Sequence, residues 1–225
     1  MDGLPLREQV LAANLALPAH GLVTLTWGNV SGIDRERGLV AIKPSGVPYE
    51  SMTLADIVLV DLDGNVVEGE RRPSTDTPTH LELYRACHWI GGIVHTHSPW
   101  ATSWAQAERE IPLLGTTHAD LSAQPIPLTR PLTEFEVDED YEGATGRALV
   151  EVTGEHDSCA LVRGHGPFAW GASPAAAVEA AVTLEQVARL ALLTTVIDPD
   201  AGPLADAVRR KHFERKHGPH AYYGQ

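Results

Sequence analysis

The stretch Gly92-Ile93-Val94-His95-Thr96-His97-Ser98 decides how the rest of the chain is read. Residues two apart share a face of an extended strand, whereas on a helix they diverge by about 200°, so His95 and His97 converge only on extended backbone. The apolar lead-in Ile93-Val94, following the Gly91-Gly92 break, makes the strand the natural reading. Two convergent imidazoles are the core of a site for zinc or a similar divalent ion, with about 2.0–2.1 Å expected from zinc to nitrogen. A pair of hydrogen-bonded sheet histidines is the alternative.

Working outward from this strand, Thr77 followed by Pro78 reads as a helix cap and first turn, with the helix running through Leu81, Leu83, Tyr84 and Ala86 to about Trp89. Earlier, residues 22–26, 39–42, 57–61 and 66–68 are strand-like runs separated by turn signals such as Asp63-Gly64-Asn65, which predicts an antiparallel meander. Leu6, Val10, Ala13 and Leu17 recur at helical spacing ahead of Pro18 and Gly21, a first helix. Downstream, a helix is expected from Trp100 to about Glu108 and a strand over residues 159–162. The clearest helix opens at Ser173-Pro174, with Val178, Ala181, Leu184, Ala188 and Ala191 forming an alanine-rich face for close packing. The tail from Pro203 starts helical and ends irregular. Many strands are joined by short turns and not by helices, so the expected fold is one layered α/β/α domain over residues 1–225 with a central, mostly antiparallel sheet.

Composition narrows the function classes. With 225 residues and 43% hydrophobic content the chain can bury one substantial core. No apolar run approaches the roughly 18 residues that span a bilayer, and the first residues lack a signal peptide's basic flank. A cytoplasmic protein with no membrane partner is expected. Cys87 and Cys159 stand alone, so any metal must be held by histidine and carboxylate. A net charge of −13 with no basic stripe argues against a nucleic-acid partner. A small phosphorylated ligand is compatible with that charge if backbone amides and one or two lysines capture it locally.

Several further residues can carry chemistry. His165, in Arg163-Gly164-His165-Gly166-Pro167, follows a buried-looking strand; alone it is a loop histidine, but beside His95 and His97 it completes the three-ligand set typical of a catalytic zinc site. Ile42-Lys43-Pro44-Ser45-Gly46 and Trp27-Gly28-Asn29-Val30-Ser31-Gly32 are polar, glycine-bearing segments suited to phosphate, or simple turns. Ser74, Thr75 and Asp76 precede a helix start, where anion binding and capping are both favoured. Asp120, in Thr116-Thr117-His118-Ala119-Asp120, and the terminal Tyr222-Tyr223 offer a carboxylate and a phenol for proton transfer, with packing as the other use of the tyrosines.

The runs TLTWGNVS, IKPSGV, DTPTH, GGIVHTHS, GTTHAD, GHGPFAWG, RKHG and AYYGQ occur in this order across nearly the whole chain. Together they closely resemble the bacterial L-ribulose-5-phosphate 4-epimerase family within the class II aldolase superfamily. The resemblance implies a metal, usually zinc, with manganese or cobalt as substitutes, bound by His95, His97 and His165 with Asp76 as a further ligand or neighbour. It implies that Asn29, Lys43, Ser45, Gly46, Ser74 and Thr75 surround the phosphate of a ketopentose phosphate. Asp120 and Tyr223 would be the proton-transfer pair, supported by Thr116, Glu142 and His212. Also implied are a homotetramer with active sites between subunits and a place in arabinose catabolism. The chain departs from the family pattern at Thr75, where a second serine is usual, and at Leu121-Ser122, which replace an aromatic pair. The segment before Cys159 is short.

The implied reaction follows from carbonyl chemistry. The C4 proton of a 2-ketose is not acidic, so C4 is inverted by breaking the C3–C4 bond, with the metal as Lewis acid, and reclosing it on the other carbonyl face. A class II aldolase such as L-fuculose-1-phosphate aldolase shares the metal logic but releases its aldehyde, and typically carries glutamate where this chain has Asp76. A non-catalytic binding module on the same scaffold is the remaining alternative.

Overall fold

The computed structural model describes residues 5–155 and 157–223. The opening residues Met1 to Leu4, His156, and the terminal Gly224 and Gln225 of the AYYGQ run lie outside the described residues.

Seven strands form one sheet: β1 (Asn29–Asp34), β2 (Leu39–Ile42), β3 (Val58–Asp61), β4 (Val66–Glu68), β5 (Gly92–His95), β6 (Cys159–Val162) and β7 (Gly166–Gly171). Their order is β4-β3-β2-β1-β5-β7-β6, and every ladder is antiparallel. Among the described residues seven α-helices accompany them: α1 (Leu6–Ala19), α2 (Thr77–Ala86), α3 (Pro99–Gln106), α4 (Thr116–Leu121), α5 (Glu134–Val152), α6 (Pro174–Ile197) and α7 (Asp206–His217).

Strand alternation creates the layers. Val40, Val58, Val60, Ile93, Ala160, Phe168 and Trp170 face one side, where they bury against Leu81, Leu83 and Tyr84 of α2 and Leu149 of α5. Their sequence neighbours Ala41, Leu59, Val94, Leu161 and Ala169 face the other, under α1, α3, α4 and α6. A period of two along strands buried on both faces requires helices on both faces, which is the α/β/α arrangement.

The differences from the sequence reading have local causes. Residues 22–26 are not a strand; the meander's first strand is β1, whose Val30 is anchored to α1 through buried Asn14. Thr77 does not cap α2: it is the helix's first residue, its hydroxyl donates to the Ser74 carbonyl at 2.6 Å, and the helix stops at Ala86. β7, α4 and the 19-residue α5 are additional elements. The acidic, weakly apolar start of α5 hides its helical periodicity. There Thr133 and Glu136 form a capping box, and the helix kinks at Asp140. Ser173 does cap α6, accepting from the Ala176 N–H at 3.3 Å.

By length and composition α6 is apolar enough to cross a membrane, contrary to the expectation that no segment approaches this. In this fold its buried residues lie against β5, β7, α1 and α3. Glu185, midway along it, accepts from the Trp100 and Ala101 N–H groups at 2.8 and 2.9 Å. An acidic side chain that satisfies the free amides of α3 belongs to a helix flanking a protein core.

Candidate metal centre and cleft

The site lies where β5 ends, β1 begins and the β6–β7 turn folds back. His95, the last residue of β5, is paired in register with Asn29 and Phe168. Its ring stacks on Phe168 at 4.2 Å. Its Nδ1 is 3.0 Å from the Pro167 carbonyl, so Nδ1 carries the hydrogen and Nε2 presents a bare lone pair. His97 lies just beyond the strand, and its Nε2 is 3.2 Å from His95 Nε2 and 3.1 Å from His165 Nε2. His165 is brought in by a tight turn in which Gly164 adopts φ +69° and the His165 N–H donates to the Val162 carbonyl at 3.0 Å. Glycine at 28 is equally constrained: it has φ +80°, and a Cβ there would meet the His95 carbonyl oxygen and Val23 Cγ1, each at 2.9 Å.

Three imidazoles presenting Nε2 to a common point suit a cation. Tetrahedral ligands at zinc–nitrogen distances of about 2.0–2.1 Å stand about 3.3–3.4 Å apart. Burial lowers the His95 pKa, and burial with the neighbouring imidazoles lowers that of His165 to about 4, so both are neutral, as ligands must be. The ring of His165 is flanked by Tyr141, whose hydroxyl is 3.4 Å from His165 Nδ1.

Asp76 stands beside this cluster and outside its three-nitrogen set. Its Oδ2 accepts from Asn29 Nδ2 at 2.6 Å and from the Ser74 hydroxyl at 3.4 Å. Burial opposes its ionisation, but attraction to His95 and His80 once they take up protons in acid, together with the Asn29 hydrogen bond, outweighs it and holds the carboxyl below the usual range. Behind it, buried His80 shares the Ser31 hydroxyl with Tyr84, at 2.7 and 2.8 Å.

The Lys43-Pro44-Ser45-Gly46 loop is zipped to the Ser74 segment that precedes α2. Ser45 N–H donates to the Arg72 carbonyl at 2.9 Å and Ser74 N–H to the Lys43 carbonyl at 3.0 Å, across a bridge between Pro44 and Pro73. Lys43 is only 2% exposed; its Nζ donates to the Thr26 and Pro44 carbonyls at 3.1 and 3.3 Å and lies over the Tyr49 ring. Desolvation lowers its pKa, and one of its three N–H donors is left over for an anion.

One cleft of about 580 Å³ is lined by Asn29, Lys43, Ser45, Gly46, Ser74, Thr75, Asp76, His95, His97, Glu142 and His165. Trp27, from the glycine-bearing segment 27–32, lines it too, as does Tyr141, which carries no metal- or phosphate-binding signature in sequence. Thr116, Asp120, His212 and Tyr223 do not line it. Thr116 opens α4 at a separate cavity, beside Leu190 of α6. Asp120 and His212 meet each other at 3.2 Å, and Asp120 and Tyr223 are linked through Arg215, the first residue of the RKHG run, to which the sequence reading gave no role. Within this chain, therefore, the three histidines and the pair Asp120 and Tyr223 form two separate groups.

This fold and donor set define a class of protein, and comparison with known families agrees. Residues 8–192 match the model of the class II aldolase and adducin N-terminal domain, and the chain belongs to that family. It is 56% identical to the L-ribulose-5-phosphate 4-epimerase UlaF of Salmonella paratyphi A, and equally to that of Salmonella typhi, in each case over 98% of both chains. Among solved structures, an L-fuculose 1-phosphate aldolase superposes with a TM-score of 0.81 at 26% identity, over 93% of this chain and 95% of that one. The L-fuculose-1-phosphate aldolase of Thermus thermophilus gives 0.67 at 28% identity, over 88% and 98%.

Proposed function

We propose that the protein is an L-ribulose-5-phosphate 4-epimerase that forms D-xylulose 5-phosphate by breaking and remaking the C3–C4 bond. The observation that carries the reading is the set of three converging imidazole nitrogens sharing one cleft with buried Lys43, in a chain 56% identical to such epimerases over 98% of its length. His95, His97 and His165 would hold a divalent ion, which would supply Lewis acidity for the cleavage and stabilise the negative charge it leaves.

The chain's own groups do the remainder. The spare Lys43 N–H, the Gly46 amide and the hydroxyls of Ser45, Ser74 and Thr75 hold the phosphate. Glycolaldehyde phosphate thus stays bound while it turns its other carbonyl face. Asn29 keeps Asp76 oriented beside the imidazoles through its 2.6 Å hydrogen bond. One of Asp120 and Tyr223 takes the proton from the C4 hydroxyl as the C3–C4 electron pair stays with the three-carbon fragment. The other returns a proton to the new C4 oxygen after closure. Thr116, Glu142 and His212 support these groups.

The separation of Asp120 and Tyr223 from the cleft supports a homotetramer in which one subunit's pair completes the neighbour's cleft. The reading takes residues 1–225 as one domain, since α7, beyond the family match, packs on α4. It further takes zinc as the resident ion, the cytoplasm as the setting and arabinose catabolism as the pathway.

The likeness to L-fuculose 1-phosphate aldolase favours one second reading, a sugar-phosphate lyase. The shorter acid at Asp76 speaks for epimerisation. Incubation with L-ribulose 5-phosphate decides between them: D-xylulose 5-phosphate supports the epimerase, and free dihydroxyacetone supports the lyase. Chelation should abolish turnover, and zinc, manganese or cobalt added back should restore it; undiminished turnover after complete demetallation refutes the metal mechanism.

A further inference from the structure

Arg215, in the last turn of α7, is the one side chain among the described residues that touches both members of the proton-transfer pair. Its Nε donates to Asp120 Oδ1 at 2.9 Å and its Nη2 to Asp120 Oδ2 at 2.6 Å. That is a fork of two near-parallel bonds, which a lysine ammonium cannot reproduce. Its guanidinium carbon lies 4.0 Å from the centroid of the Tyr223 ring. Its carbonyl accepts from the Tyr222 and Tyr223 N–H groups at 2.9 and 3.1 Å. A single residue thus grips a carboxylate on α4 with its side chain and the phenol-bearing tail with both its main chain and its guanidinium face.

We infer that Arg215 is a positioning residue that clamps Asp120 and Tyr223 into one rigid proton-transfer unit. The inference rests on the reading of those two residues as the proton-transfer pair. The side chains of Tyr222 and Tyr223 are 68% and 49% exposed, and the preceding Ala221 N–H donates to the Gly218 carbonyl at 3.1 Å. The Arg215–Asp120 pair is more sheltered, at 22% and 15%, and is less screened than an open surface pair. His212 and His217, on the same helix, add hydrogen bonds to the Asp120 carboxylate and carbonyl at 3.2 and 2.8 Å.

Other charged groups nearby do not substitute for Arg215. Lys216 pairs with Glu179 at 3.6 Å, and Glu155 and Asp157 line the adjoining cavity with Asp120 and His217. Burial opposes ionisation of Asp120, but the Arg215 and His212 hydrogen bonds more than offset it and hold the carboxyl below its ordinary range. Loss of the fork therefore frees both the position and the charge state of Asp120.

The test compares zinc-loaded wild type, Arg215→Ala, Arg215→Lys, Asp120→Asn and Asp120→Asn/Arg215→Ala on L-ribulose 5-phosphate. For Arg215→Ala we expect kcat to fall about 10²-fold, the scale of a displaced proton-transfer group, with KM changed by less than about 3-fold. Its acidic kcat limb should move upward by about one pH unit. Arg215→Lys should recover little, and guanidinium chloride should partly restore Arg215→Ala. Adding Arg215→Ala to Asp120→Asn should cost far less than it costs alone. A raised KM with kcat retained, an unmoved acidic limb without guanidinium rescue, or independent losses in the double variant would overturn the inference. If wild type shows no turnover, the epimerase reading fails; the clamp is then read from hydrogen exchange. It stands if the Tyr222 and Tyr223 amides exchange at least about 10-fold faster in Arg215→Ala, and falls if their rates match wild type.

Discussion

Replacing Asn14 by leucine tests how the first helix holds the strand that opens the cleft. Asn14 is fully buried in α1; its Nδ2 donates to the Val10 and Val30 carbonyls at 2.8 and 3.0 Å, and its Oδ1 accepts from the Val30 N–H at 2.8 Å. Leucine keeps the volume but leaves the Val30 N–H without that acceptor, and the Val30 carbonyl with only the Lys43 N–H at 3.4 Å. A buried orphaned group costs about 1–3 kcal/mol, and one complete plus one partial loss sum to about 2–4 kcal/mol. At about 2–4 °C per kcal/mol for a chain of this length, Tm should fall by about 5–15 °C. Urea unfolding measures the free energy directly, and the exposed Leu15→Asn on the same helix is the control, expected within about 0.5 kcal/mol of wild type. Because Asn29, which precedes Val30, orients Asp76, KM should rise in the surviving folded enzyme more than kcat falls. A midpoint for Asn14→Leu matching that of the Leu15 control would refute the reasoning.

Three further outcomes are expected. Tyr141→Phe removes the hydroxyl beside His165 Nδ1, so metal affinity measured by chelator competition should weaken about 10-fold, the lower end for lost outer hydrogen bonds to a ligand; unchanged affinity would show that the 3.4 Å contact does not orient the ring. Asp120→Asn and Tyr223→Phe should each lower kcat by about 10²–10⁴-fold while zinc uptake stays at wild-type levels, and full activity in either variant removes that residue from the pair. His118 is buried, its pKa lowered by burial to about 4, and its Nε2 donates to the Gln124 carbonyl at 3.0 Å. The folded value lies below that of the unfolded chain, so the unfolded chain takes up the proton first. Stability present above about pH 6.5 should then decline toward about pH 4, by about 1.4 kcal/mol per pH unit for this group. His118→Asn should flatten that part of a urea-midpoint profile, and parallel profiles would dismiss the effect.

The legible parts of the fold are those whose period is written in apolar residues. Leu6 to Leu17, the runs that became β2 to β4, and the alanine face after Ser173 could be read because burial selects one face of each element. Residues 22–26 misled because an apolar run of strand length says nothing about which partner it finds; the sheet takes Asn29–Asp34, whose Asn29 and Ser31 look like turn residues until Asp76 and His80 of the α2 segment become their partners. β7 was hidden by its glycines and proline, which only the β5 and β6 ladders turn into a strand.

What the sequence determined alone is the inventory: three histidines at strand ends, a lysine and hydroxyls in two glycine-bearing loops, an antiparallel scaffold to present them, and family motifs in their order. These follow from side-chain type and from the two- and 3.6-residue periods, which are local properties. The tertiary structure alone decided which of these groups meet. It closed 68 residues of separation to set His97 and His165 Nε2 at 3.1 Å, zipped the Lys43 and Ser74 loops, placed unsignalled Tyr141 against His165, and gave Arg215 to Asp120. Such meetings depend on how layers pack, and packing is a cooperative outcome of the whole chain that no single segment encodes.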